Sequence, residues 1–292
     1  MSDPYDALLV VSFGGPEGPD DVLPFLENVL RGKPVPRERM LEVAEHYYHF
    51  GGGSPINEQN RRLITALENE LVQAGIRLPI YFGNRNWHPL LGDAMTQMRD
   101  NGVRRALAFF TSAYSSHSGC RQYREDIARA AEQVGPDAPE VDKIRVFYNH
   151  PGFIGPNIHA VKTALQQVDP ERLRESMILF TAHSIPLAMA DHCQYVAQLQ
   201  EACRLVAEGA GHERWELVYQ SRSGPPSQPW LEPDVCDRIS ELHAAGELEE
   251  LVLVPIGFIS DHLEVLYDLD VEAAQLCEEQ GVRMQRVPTG GV

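Results

Sequence analysis

A chain of 292 residues, 43% of them hydrophobic, can bury the cores of two domains of ordinary size, which excludes a disordered protein. Its formal net charge of −17, from 25 basic against 42 acidic residues, repels phosphate backbones and excludes nucleic acid as the expected partner. Five cysteines (Cys120, Cys193, Cys203, Cys236 and Cys277) are odd in number and form no CxxC pair, so neither a disulfide scaffold nor a zinc site is expected.

The opening MSDPYDALL lacks the basic and apolar regions of a signal peptide. Leu8 to Phe13 then reads as a buried strand, followed by the loop Ser12-Phe13-Gly14-Gly15-Pro16-Glu17-Gly18-Pro19-Asp20-Asp21. The position suits phosphate binding, but the composition does not. Two prolines remove backbone donors, three acids add negative charge, and neither GxGxxG nor a P-loop is present. An anionic substrate would need a local arginine pocket, for which Arg31, Arg61, Arg62, Arg121 and Arg124 are candidates. In the second glycine-rich loop, Gly51-Gly52-Gly53-Ser54-Pro55, Ser54 reads first as a turn residue and second as a donor to a carboxylate.

Glu58 to Ala74 carries Leu63, Leu67 and Leu71, one apolar residue per turn of a helix. Strands are expected at Pro79 to Phe82, Ala106 to Phe110 and Ile144 to Tyr148. The Pro/Gly-rich stretch His150 to Pro156 marks a boundary, dividing the chain into domains at 1–150 and 151–292. Helical periodicity returns at Asn157 to Gln167 and Val196 to Ala207. A second strand series falls at Met177 to Phe180, Leu217 to Tyr219, Leu251 to Ile256 and, weakly, Met284 to Val287. Pro288-Thr289-Gly290-Gly291-Val292 is loop-like where a closing helix would be expected, so the chain is expected to be cut short of its natural end.

Strands alternating with helices imply an α/β fold of two similar domains, each with a parallel sheet flanked by helices, meeting at a cleft. Ligands in such folds sit at the carboxyl ends of the strands. His183 lies at one such end, where a neutral imidazole can accept a proton or bind a metal; the plainer alternative is a polar residue closing a strand. Glu264, Asp268 and Glu272 recur every four residues after another strand, so on a helix they share a face able to take up divalent cations. The competing reading is a solvated acidic face on an acidic protein. Trp87 and Trp230 can each stack on a flat ring or simply anchor a loop. No GxSxG elbow supports a Ser-His-Asp hydrolase. The longest apolar run, Leu251 to Ile259, is too short to span a membrane, so a cytoplasmic monomer is expected.

Several long stretches, taken together and in order, resemble the ferrochelatase family over nearly the whole chain. They are Leu9 to Pro16, Gly51 to Pro55, Phe180-Thr181-Ala182-His183-Ser184-Ile185-Pro186, Tyr219-Gln220-Ser221 with Pro229-Trp230-Leu231, and Val254 to Phe258 running into Ser260-Asp261-His262-Leu263-Glu264-Val265-Leu266-Tyr267. The resemblance implies two flavodoxin-like domains around a porphyrin cleft, with His183 and Glu264 as the metal-site pair and Asp268 and Glu272 as an acidic line conducting metal or protons. It implies that Ser54 and Tyr123 hold the porphyrin, with Tyr47 and Arg31 as further contacts, and that Trp230 lies in a family motif. It implies ferrous iron as substrate, a ring bent out of plane, no ATP and no required cofactor. Coproporphyrin III is favoured over protoporphyrin IX.

The sequence departs from the family in four places, one of them the polar stretch Asn57-Glu58-Gln59-Asn60, where membrane-associated members have an apolar lip. Phe13 stands where some bacterial members carry a tyrosine ligand, Trp87 stands where some carry a basic residue, and no cysteine follows Cys277, so a [2Fe-2S] cluster is not expected. Two rival readings are a cobalt or nickel chelatase of another tetrapyrrole and a tetrapyrrole or metal carrier without turnover.

Overall fold

The computed structural model describes residues 4–32, 35–225 and 227–291. It divides into two compact units. One runs to Ser112 and includes Ser118–Arg145; the other comprises Ala113–His117 and Val146–Gly291.

The first unit holds strands β1 (Ala7–Ser12), β2 (Ile80–Asn84), β3 (Arg105–Phe110) and β4 (Glu140–Lys143). They form a wholly parallel sheet in the order β2-β1-β3-β4. Helices α1 (Val22–Val29), α2 (Arg37–His49), α3 (Ile56–Gln73), α4 (Leu91–Asp100) and α5 (Gln122–Val134) fall between the strands. Alternate side chains of β1 serve opposite faces. Ala7, Leu9 and Val11 join a core with Met95 and Met98 of α4 and Ala130 of α5. Leu8 and Val10 are equally buried on the other face. On α3 the expected Leu63, Leu67 and Leu71 stripe is only half-buried; the deeply buried residues sit in its first turns, at Ile56, Asn57 and Asn60.

The second unit is assembled in the same way. It has α6 (Pro151–Leu165), β5 (Met177–His183), the short α7 (Leu187–Ala190), α8 (Tyr195–Ala210), β6 (Trp215–Gln220), α9 (Val235–Ala244), β7 (Glu250–Val254), the single turn α10 (Leu263–Val265), α11 (Ala274–Gln280) and β8 (Arg283–Arg286). Its parallel sheet has the order β6-β5-β7-β8. Ile178, Phe180 and Ala182 pack under α6 and α8. Met177 and Leu179 pack on the opposite face with α9 and α11. Helices on both faces explain why the central strands are continuous apolar runs.

One strand expectation is corrected. Ile144 to Tyr148 is not a strand; β4 lies just before it, in the polar run Glu140-Val141-Asp142-Lys143. The Pro/Gly-rich stretch after His150 forms the start of α6, and the chain passes between units just before it, at Arg145–Val146. Pro151 occupies the first turn, where its missing N–H is no loss, and the His150 ring caps the helix by accepting from the Gly152 N–H at 3.0 Å.

Candidate active site

All four strands of the second unit run the same way, so their carboxyl ends share one edge of the sheet. His183 and Gln220 close β5 and β6 there as register partners. The His183 Nδ1 lies against the Ser184 carbonyl. A carbonyl can only accept, so Nδ1 carries a proton, and Nε2 is the ring nitrogen left open to the site. That Nε2 faces Glu264, whose Oε2 is 3.6 Å away, too far for a hydrogen bond.

Glu264 has a second imidazole beside it: His262 Nδ1 is 3.8 Å from the same oxygen. Burial pushes His262 below its ordinary value, with His183 adding to the effect, while Glu264 and Asp261 pull the other way. His262 stands edge-on to Phe258, with ring centroids 5.0 Å apart. Sequence reasoning passed over this residue, although its place two positions before Glu264 was a usable signal.

Glu264 lies in α10, which runs without a break into a π-helical segment, Leu266–Ala273, and then into α11. This corrects the expected regular α-helix and explains its four-residue repeat. In an α-helix a step of four residues over-rotates by about 40°, so three acids would fan out around the axis. The wider turn absorbs that excess. It keeps Glu264, Asp268 and Glu272 in one row while Val265, Leu269 and Ala273, each one residue further on, stay buried in the core. The neighbouring acids are accounted for differently: Arg286 binds Asp261 at 2.5 Å and Asp270 at 3.1 Å.

Burial pushes Asp268 up to about 7; Glu264 and Glu272 add to the rise, and hydrogen bonds from Ser221 and Gln220 oppose it. Glu272 is also raised, by burial first and by Asp234 second. The four expected metal residues do not form one cage. Among the described residues no three His, Cys, Asp or Glu side chains gather as metal ligands; His183 and Glu264 form a pair, and the other two acids continue the row.

The expected ring-holding residues divide differently. Trp230 is buried at 9% exposure, leaving no open stacking face. It seats against Gly224, where a Cβ would lie 2.2 Å from the indole nitrogen, and pairs with Pro186. It therefore anchors the 221–231 loop to the strand end beside His183. In the first unit Tyr123 is buried, tilted against Phe110 at 5.0 Å and covered by the Arg85 guanidinium at 4.6 Å. Tyr47 is buried against Phe25 at 5.9 Å. Ser54 is half-buried, and its N–H donates to the Pro16 carbonyl at 2.8 Å. Gly15 is what lets it approach, since a Cβ there would meet the Ser54 Cβ at 2.7 Å. Arg31 is exposed.

The ferrochelatase family model matches residues 5–292. The chain belongs to the ferrochelatase family. It is 62% identical to the ferrochelatase of Rhodopirellula baltica over 288 residues, covering 99% of this chain and 82% of the relative. It is 52% identical to the coproporphyrin III ferrochelatase of Mycolicibacterium smegmatis over 98% of this chain and 84% of that one. The corresponding Streptomyces coelicolor enzyme is 50% identical over 99% and 82%. The ferrochelatase fold also superposes on SirB from Bacillus subtilis solved with Fe3+, with a TM-score of 0.60 at 10% identity, covering 97% of this chain and 89% of that one. That likeness speaks to the fold alone. No helix among the described residues is long and apolar enough to cross a membrane.

Proposed function

We infer that this chain inserts ferrous iron into a porphyrin, a lyase-type reaction in haem synthesis that uses no ATP, with coproporphyrin III as the favoured ring. Relatives named coproporphyrin III ferrochelatase at 50% and 52% identity support that choice of ring. The reaction replaces two pyrrole protons with one Fe2+, so the site must take up protons and admit a dication.

The observation that carries the residue assignment is the His183 Nε2 facing Glu264 across 3.6 Å. Two atoms each about 2.1 Å from a shared ion lie roughly 3 to 4 Å apart, so the spacing suits a shared metal as well as a shared proton. His183 accepts a pyrrole proton as general base. Glu264 receives iron and strips its water, with Asp268 and Glu272 behind it. With its value near 7, Asp268 holds or releases a proton at neutral pH. Ser54, Tyr123, Tyr47 and Arg31 are taken as the ring-holding set, a reading supported by the resemblance of their motifs to the family's. Trp230 contributes by fixing the loop beside His183. No resident cofactor and no [2Fe-2S] cluster is needed, and the enzyme acts as a cytoplasmic monomer.

The test is an anaerobic assay in which ferrous or cobaltous ion is mixed with coproporphyrin III or protoporphyrin IX and the absorption spectrum is followed. Multiple turnovers with iron and coproporphyrin III are expected. Stoichiometric binding without turnover would make the protein a carrier, and turnover with cobalt alone would make it a different chelatase.

A further inference from the structure

We propose that Gln220 and Ser221 are positioning residues, a clamp that ties the acidic row to the histidine strand and sets how the site takes up its ferrous ion; this rests on the iron-inserting function above. Gln220 is 1% exposed and sits beside His183 in the sheet register. Its amide Nε2 donates to Asp268 Oδ2 at 3.1 Å and reaches the Glu264 main-chain carbonyl at 3.4 Å. Its Oε1 is buried and finds no partner. A buried amide that leaves its oxygen unmatched in order to direct its nitrogen at two acceptors is placed for those acceptors.

Ser221 carries a second local cost at the next residue. Among the described residues it is the one non-glycine residue in the left-handed region, with φ of 59°. From there its hydroxyl donates to the same Asp268 Oδ2. Two adjacent residues thus bear unfavourable features whose shared product is one fixed carboxylate oxygen. Such a coincidence marks a functional constraint. Ser184 closes the connection, its N–H donating to the Gln220 carbonyl at 2.8 Å directly after His183. The strand end bearing His183 and the helix bearing Glu264 and Asp268 are therefore joined through these side chains.

The decisive substitution is Ser221→Gly, which relaxes the left-handed backbone and removes the hydroxymethyl side chain, and with it the hydroxyl donor. It is expected to keep the wild-type Tm and the porphyrin KM while raising the KM for ferrous iron about tenfold, the loss of one charge-assisted hydrogen bond. Ser221→Asn, which tolerates the same backbone and brings an N–H donor, should recover part of that loss. Gln220→Met, of similar length and without donors, should again raise the iron KM selectively. An unchanged iron KM in Ser221→Gly, or iron and porphyrin KM moving together, overturns the clamp. Calorimetric titration with cobaltous ion gives a readout free of turnover: weaker binding in Ser221→Gly than in wild type supports the clamp, and equal binding overturns it. A wild-type protein that binds cobalt but inserts no iron would sink the functional reading while the calorimetry still decides on the clamp.

Discussion

The two units share a sheet order and treat the carboxyl ends of their central strands in opposite ways. In the first, Ser12 of β1 pairs with Asn84 of β2. Asn60 and Thr111 both donate to the Ser12 hydroxyl, at 2.8 and 2.9 Å, and Asn84 donates to Asn57 at 3.1 Å. In the second, the matching register positions hold His183 and Gln220, with the carboxylates of Glu264 and Asp268 beside them. One edge centres on amides and hydroxyls; the other brings an imidazole and a row of carboxylates together. The shared topology supplies a place, and the residue types decide whether it becomes chemistry or scaffolding.

That contrast breaks most sharply at the histidine. His183→Ala or Glu264→Gln should lower turnover by about 10²-fold or more, measured in the anaerobic insertion assay; near-normal rates in either would erase the distinction between the edges. In the first unit Asn60→Ala should instead cost about 1–3 kcal/mol of stability, read by denaturant unfolding, with the iron KM unmoved. Asp268 sharpens the comparison through pH. Its folded value, about 7 against 3.8, is raised, so its stabilising contribution is complete below 3.8 and is lost as pH rises toward 7. Asp268→Asn should flatten the stability profile across that window, as followed by Tm at successive pH values. The smallest effect is expected at Trp230: its buried indole N–H has no partner, so Trp230→Phe should change stability by only about 1 kcal/mol and leave the porphyrin KM in place. A large rise in that KM would return Trp230 to the ring-binding set.

The central strands were legible because burial on both faces leaves no polar alternation to misread. Edge strands were less so. β4 is Glu-Val-Asp-Lys, and its Asp142 pairs with Arg105 of β3 at 2.6 Å, a pattern no apolar template detects. The nearby apolar run Ile144 to Tyr148 drew the assignment away from it. His183 and the four-residue acid repeat were readable because strand ends and helical spacing are local. The partners that give them meaning were not. Gln220 and Ser221 act on Asp268 from 48 and 47 positions away, and the Ser221 backbone departs from every propensity of its residue type.

The wide segment Leu266–Ala273 holds more chain per turn than an ordinary coil of the same length. Deleting a single amino acid there would let it tighten into a regular spiral, with better backbone geometry and a firmer fold. The same deletion would swing Asp268 and Glu272 off the line they share with Glu264. This is a stretch where a gain in robustness and a loss of usefulness arrive together, so a search for hardier variants of this protein would do well to leave its length alone.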